Sequence, residues 1–255
     1  MSKPSLVNWK LFSLLLIGGV IGSLAVLPYQ LTLTPTDVPL PAIILNALIN
    51  GVLILALATF LGLLLAQKVG LGAPILEKVV SGEKVSINWS RYVGMSVLFG
   101  VAAAICIIVF DGSFAAFIAV ETPAAETVSR PSWWQGLLAS LYGGITEEIQ
   151  LRLFFMTLLV WLFGKVTKNA HPKTSSGIVW TAIIVAAVLF GVGHLPLAAA
   201  IEPLTTWIIL RVIVLNAVGG IIFGWLYWKK GLEAAMIAHF SADIVLHVLL
   251  PLIAA

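Results

Sequence analysis

Seven apolar runs, each about as long as a bilayer is thick, predict an all-α polytopic membrane bundle of about seven transmembrane helices. The runs cover residues 11–28, 41–66, 92–119, 133–163, 177–196, 204–228 and 231–253. A hydrocarbon core about 30 Å thick needs roughly 20 apolar helical residues. Composition points the same way: 60% of the 255 residues are hydrophobic and only 10% are charged, with a mean hydropathy of +1.09. A soluble domain carries about 25% charged residues because its surface faces water. Helix is the required form, since an isolated strand cannot satisfy its backbone groups in lipid.

The first run follows Lys3 and Lys10 and starts like a signal peptide, with Ser23-Leu24-Ala25 as a weak cleavage-like triplet. Its length favours an uncleaved first span. Thr34-Pro35-Thr36-Asp37 reads as a turn before the second span. Residues 67–91 form the longest internal connection, within which Ala73 to Val80 is expected as a short interfacial helix. The segments 121–132 and 164–176 are further polar connections. Gly18-x-x-x-Gly22 and Gly220-x-x-x-Gly224 are candidate close-packing faces. The chain reads as one membrane domain, 1–255, whose residues 1–132 carry no motif and whose residues 133–255 carry all the motifs described below.

Charge fixes an expected orientation. Lys3, Lys10, Lys68, Lys78, Lys84, Arg91, Lys165, Lys168, Lys173, Lys229 and Lys230 all fall on one side of a seven-span chain, and only Arg130 lies in a loop on the other. Cytoplasmic loops are enriched in Lys and Arg, so the amino terminus is expected in the cytoplasm and the protein in the cell (inner) membrane. The net charge of +3 does not indicate nucleic acid, because the cations sit between apolar runs without interleaved aromatics. The single Cys106 excludes an intramolecular disulfide and a cysteine metal cluster.

Ionisable groups inside spans are costly and mark function by default. Glu147, Glu148 and Arg152 lie in the fourth run, His194 in the fifth, and His239, Asp243 and His247 in the seventh; Asp111 and Arg211 stand alone in the third and sixth. Glu148 and Arg152 are four apart, so they share a helix face and are expected to pair. Glu147 is rotated about 100° from Glu148, which frees it for another purpose. His239, Asp243 and His247 form one stripe. A carboxylate beside two imidazoles can move protons or hold a metal. The plainer readings are a register-fixing ion pair for Glu148 and Arg152, a satisfied core residue for His194, a cap or interface role for His247, and a pairing of Arg211 with Asp111 or Asp243. Counted from the inner loops at about 1.5 Å per residue, Glu147 and His194 lie roughly 25 Å deep and His239 about 12 Å. A shared pocket therefore needs tilted, broken or offset helices.

Glu147-Glu148-x-x-x-Arg152, Phe190-x-x-x-His194 and His239-x-x-x-Asp243, in that order on separate spans, resemble the CPBP family (Abi, or type II CAAX prenyl endopeptidase-like) of intramembrane proteases. The likeness runs from about Trp133 to Leu250. The last motif ends in Asp where the prenyl-protein proteases have Asn. What the resemblance implies is hydrolysis of a peptide bond in a membrane-associated peptide or protein by an activated water. Glu147 and His194 would activate that water, His239 and Asp243 would polarise the carbonyl, and Glu148 and Arg152 would support them. No obligatory cofactor is preferred. The alternative is a zinc site of Glu147, His194 and His239 with Glu148 as base; the absence of HExxH favours the metal-free version. Two other functions compete: a non-catalytic membrane interaction or immunity protein of the same fold, and a proton-coupled transporter, for which no inverted repeat is visible.

Overall fold

The computed structural model describes residues 6–121, 130–167 and 175–253, and among them it contains eight helices and no strand. These are α1 (Trp9–Leu33), α2 (Leu40–Val69), α3 (Pro74–Val80), α4 (Trp89–Glu121), α5 (Trp133–Val166), α6 (Ser176–Ile201), α7 (Thr206–Lys230) and α8 (Leu232–Ile253). All except the short α3 are long and apolar enough to cross a membrane, so the chain is a multi-pass membrane protein. The seven spans coincide with the seven apolar runs, and α3 takes the place expected for a short helix. Lys3, Lys168 and Lys173 lie outside the described residues, as does most of the connections 121–132 and 164–176.

Several helices run past the apolar stretch that announces them, because the chain continues until a residue can leave the helix. Gly70 ends α2 at φ 71° and Gly231 ends α7 at φ 96°, a region open to glycine at little cost. Asn8 starts α1 by accepting from the Lys10 and Leu11 amides. Regular bonding in α1 is interrupted at Val26, two residues before Pro28, since proline offers no N–H.

The bundle is arranged inside out relative to a soluble protein. Large apolar residues such as Ile17, Leu53, Leu98 and Val109 face outward, where lipid is as apolar as any core. Association between spans therefore depends on close packing and on a few polar contacts. Glycine permits the tightest crossings. A Cβ on Gly62 of α2 would lie 2.8 Å from the Leu153 carbonyl oxygen of α5, and one on Gly220 of α7 would lie 2.7 Å from Ala187 of α6. Gly22 packs against Tyr142 and Thr146 of α5, and Gly224 against Ile183 of α6, so both candidate glycine faces are packing faces. The central helix is α8, in contact with α4, α5 and α7.

One end of the bundle is tied by polar contacts. Glu233, buried at the start of α8, accepts from the Ile75 and Leu76 amides at 2.9 and 2.7 Å and so caps α3. Tyr92 donates to the Lys230 carbonyl at 3.2 Å, and the Leu232 amide donates to Gly72 at 2.9 Å. These contacts gather the 67–91 connection and Lys229–Lys230 at the same end, as the charge pattern requires.

Gly62→Ala is expected to destabilise the bundle by about 1–3 kcal/mol, the usual range for overpacking. Gly94→Ala, whose Cβ would meet nothing within 4 Å, is expected to be neutral or slightly stabilising. Thermal unfolding in detergent compares the two; equal shifts would contradict glycine-dependent packing of α2 on α5.

Candidate active site

The polar groups of α5, α6 and α8 meet because α5 carries no side chain where it crosses α8. A Cβ on Gly143 would press on Asp243 and lie 3.1 Å from His239 Nε2; one on Gly144 would lie 2.8 Å from Phe240 Cβ. Both glycines lie in the first of two stretches of wide i→i+5 turns in α5, Tyr142–Glu147 and Ile149–Met156. Such turns are rare, and they frequently accompany functional sites. They carry more residues per unit length than a regular helix. The fourth span thus meets the requirement for irregular helices set by the unequal depths of Glu147 and His239.

Glu148 is fully buried, and Arg152 Nη1 lies 2.9 Å from its Oε1. The same oxygen accepts from His239 Nδ1 at 2.7 Å. The arginine contact is off-axis, so both Nη atoms lack a hydrogen-bond acceptor among the described residues. The guanidinium instead lies 5.3 Å from the centre of the Phe190 ring and 5.4 Å from that of Phe223. A cation between two aromatic faces keeps part of the stabilisation it loses on leaving water. Phe223 also stacks on His239, with centroids 4.6 Å apart, and Phe190 meets the edge of His194 at 4.6 Å. The expected pair of Glu148 and Arg152 is therefore present, and it is one layer of a larger stack.

Glu147 points elsewhere, as a residue one step round the helix should. Its carboxylate lies 3.9 Å from His194 Nε2 and 3.7 Å from His239 Nε2. Both rings are oriented from behind. His194 Nδ1 faces the Phe190 carbonyl at 2.9 Å, which can only accept, so that nitrogen carries the hydrogen. His239 Nδ1 donates to Glu148. Asp243 Oδ1 stands 3.7 Å from His239 Nε2 and 3.9 Å from His247 Nε2, and the Tyr29 hydroxyl lies 3.1 Å from His247 Nδ1.

These groups line a cavity of 440 Å³ reached by α1, α4, α5, α6, α7 and α8. Ligand sites commonly measure about 300–1,000 Å³. Glu147, His194, His239, Asp243 and His247 share its wall with apolar residues such as Ile107, Leu197 and Leu215. Asp111 and Arg211 are not part of it. Arg211 Nε lies 2.5 Å from Asp111 and its Nη1 3.7 Å from Glu202, so the arginine pairs with Asp111 and not with Asp243.

The donor types at Glu147, His194 and His239 are those of a zinc site, and rings fixed from behind are usual there. The spacing is not. Neighbouring ligands of a tetrahedral zinc with bonds of about 2.0–2.1 Å lie roughly 3.3 Å apart, several tenths closer than these pairs. Among the described residues no three His, Cys, Asp or Glu side chains stand at metal-binding spacing.

Two aromatic partners carried no signal in the sequence. Phe223 falls in an apolar stretch of α7, and Tyr29 sits near the end of α1, 218 residues from the histidine it contacts.

The family model described as Type II CAAX prenyl endopeptidase Rce1-like matches residues 129–245. That segment contains Glu147, Glu148, Arg152, Phe190, His194, His239 and Asp243. No curated protein and no solved structure matches the chain significantly. Over residues 129–245, somewhat less than half of its length, the chain is thus similar to the Rce1-like type II CAAX prenyl endopeptidases.

Proposed function

We propose that this protein is an intramembrane endopeptidase that hydrolyses a peptide bond of a membrane-associated peptide or protein with a Glu147-activated water. The observation that carries this reading is the placement of the Glu147 carboxylate between His194 Nε2 and His239 Nε2 on the wall of a cavity within the spans. The substrate is taken to enter this cavity from the bilayer, with the amino terminus of the protein in the cytoplasm, as the excess of cations on one side supports.

The steps follow from which atoms can accept. A water between Glu147 and His194 gives one proton to the Glu147 carboxylate as its oxygen attacks the carbonyl carbon. His194 Nε2, free to accept because its Nδ1 hydrogen faces Phe190, holds the water's second hydrogen. The C=O bond becomes a single bond, and the resulting oxyanion lies towards His239 and Asp243. His239 donates from Nε2 when both its nitrogens carry hydrogen, steered by Glu148 on one side and Asp243 on the other. The tetrahedral species then collapses, the C–N bond breaks, and the proton on Glu147 passes to the leaving nitrogen. Glu147 ends as it began. The low polarity of the surroundings strengthens each of these interactions.

Glu147→Gln keeps the shape of the side chain and removes its basicity, so cleavage of a fluorogenic membrane peptide should fall by at least about 10²–10⁴-fold. Thermal stability should be unchanged, because Arg152 keeps Glu148. Elemental analysis should find no stoichiometric zinc in active wild-type protein. Stoichiometric zinc that is lost in Glu147→Gln, together with inhibition by chelators, would overturn the metal-free reaction.

Arg152→Ala leaves Glu148 buried without its cation, and removing one partner of a buried pair costs about 3–5 kcal/mol. The yield of folded protein in detergent should drop sharply. A variant that is fully stable yet inactive would show instead that the arginine acts in the chemistry.

A further inference from the structure

The hydrolysis described above needs hydrogen-bond donors around the oxyanion, and Asp243 in its ionised form can only accept. His239, whose Nδ1 hydrogen is given to Glu148, offers at most one donor, from Nε2, and only when both its nitrogens carry hydrogen. The Asp243 oxygen nearest His239 Nε2, at 3.7 Å, is also 3.9 Å from His247 Nε2. Two imidazoles therefore flank one carboxylate oxygen on the cavity wall. His247 is 37% exposed and lines the cavity, so its ring edge is open to a substrate.

The tautomer of His247 follows from its neighbours. Tyr29, whose ring meets the imidazole edge-on with centroids 5.4 Å apart, has its hydroxyl 3.1 Å from Nδ1. With a carboxylate facing Nε2, the consistent arrangement has Tyr29 donating to Nδ1 and the ring hydrogen on Nε2. At 3.9 Å that N–H is too far from Asp243 to be hydrogen-bonded. It remains available to an oxygen placed beside the pair, on the cavity side.

We propose that His247, oriented by Tyr29, donates a hydrogen bond to the oxyanion formed during hydrolysis, as a second donor beside His239. His247 is then a catalytic residue and Tyr29 a positioning residue. This rests on the peptidase reading. Neither residue lies in the segment matched by the family model, so the role comes from the geometry alone. The rival is a purely structural contact joining α1 to α8.

The test uses the full-length protein, a fluorogenic membrane peptide and separate kcat and KM values, with thermal unfolding measured for each variant. His247→Ala should lower kcat by about 10²–10³-fold, the usual cost of one oxyanion donor, with KM little changed. His247→Gln, which keeps an N–H, should recover most of that loss. Tyr29→Phe should lower kcat by less than His247→Ala does. In an Asp243→Asn background, where the amide itself donates, His247→Ala should cost less than about tenfold. Equal losses in both backgrounds, an unimpaired His247→Ala, or an inactive Asp243→Asn each overturn the proposal. Should His247→Ala not fold, a His247→Gln as inactive as it is stable does the same. Wild-type protein that cleaves nothing refutes the peptidase reading itself, and this inference with it.

Discussion

A buried guanidinium sets the terms for the whole site. Arg152 is 3% exposed, in the middle of a span, where an uncompensated charge is prohibitive. Glu148 neutralises it, and Phe190 and Phe223 cover it. Because Glu148 also accepts from His239, the requirement to compensate Arg152 fixes α5 against α8 and the His239 ring between two glutamates. Ion pairs of this type stabilise little against an apolar replacement, and their best-attested use is to set register. Here that register brings Glu147 opposite His194 and His239.

The same constraint explains the small residues nearby. A charge layer shared by two helices requires close axes, and Gly143 and Gly144 allow α8 to press on α5. Lipid provides no hydrophobic force between spans, so such crossings and the polar layer must hold the bundle together. Apolar residues are left to face outward. Chemistry and assembly consequently draw on the same few side chains, with Glu148 and Arg152 serving the second and Glu147 left free for the first.

Much of this arrangement was legible because the membrane makes polar residues conspicuous. Seven spans followed from run lengths, and the pairing of Glu148 with Arg152 followed from four-residue spacing. That Glu147 would face elsewhere followed from one step of helical rotation. What spacing could not reveal was partnership between helices. Arg211 had two candidate acids in the sequence, and only packing of α7 on α4 selects Asp111. Phe190 entered only as the first residue of Phe190-x-x-x-His194; its ring face turned to Arg152 is a contact that spacing could not show. Phe223 and Tyr29 belong to stretches where apolar and aromatic residues are ordinary. The depth counts assumed regular helix, and the wide turns of α5 changed that geometry locally. Such turns depend on packing, and no residue type announces them.

The segment that carries the Glu147 cluster is also the segment that the CAAX endopeptidase family model matches, which supports the proposed hydrolysis. The central claim is that a carboxylate activates water and does not attack the peptide itself. Single-turnover cleavage of a membrane peptide in water enriched in heavy oxygen, read by mass spectrometry of peptide and protein, tests it most directly. The account predicts one heavy oxygen in the newly formed carboxyl group and none in the protein. Heavy oxygen in Glu147, or a first-turnover product with ordinary oxygen, would show covalent attack by the carboxylate and contradict the account.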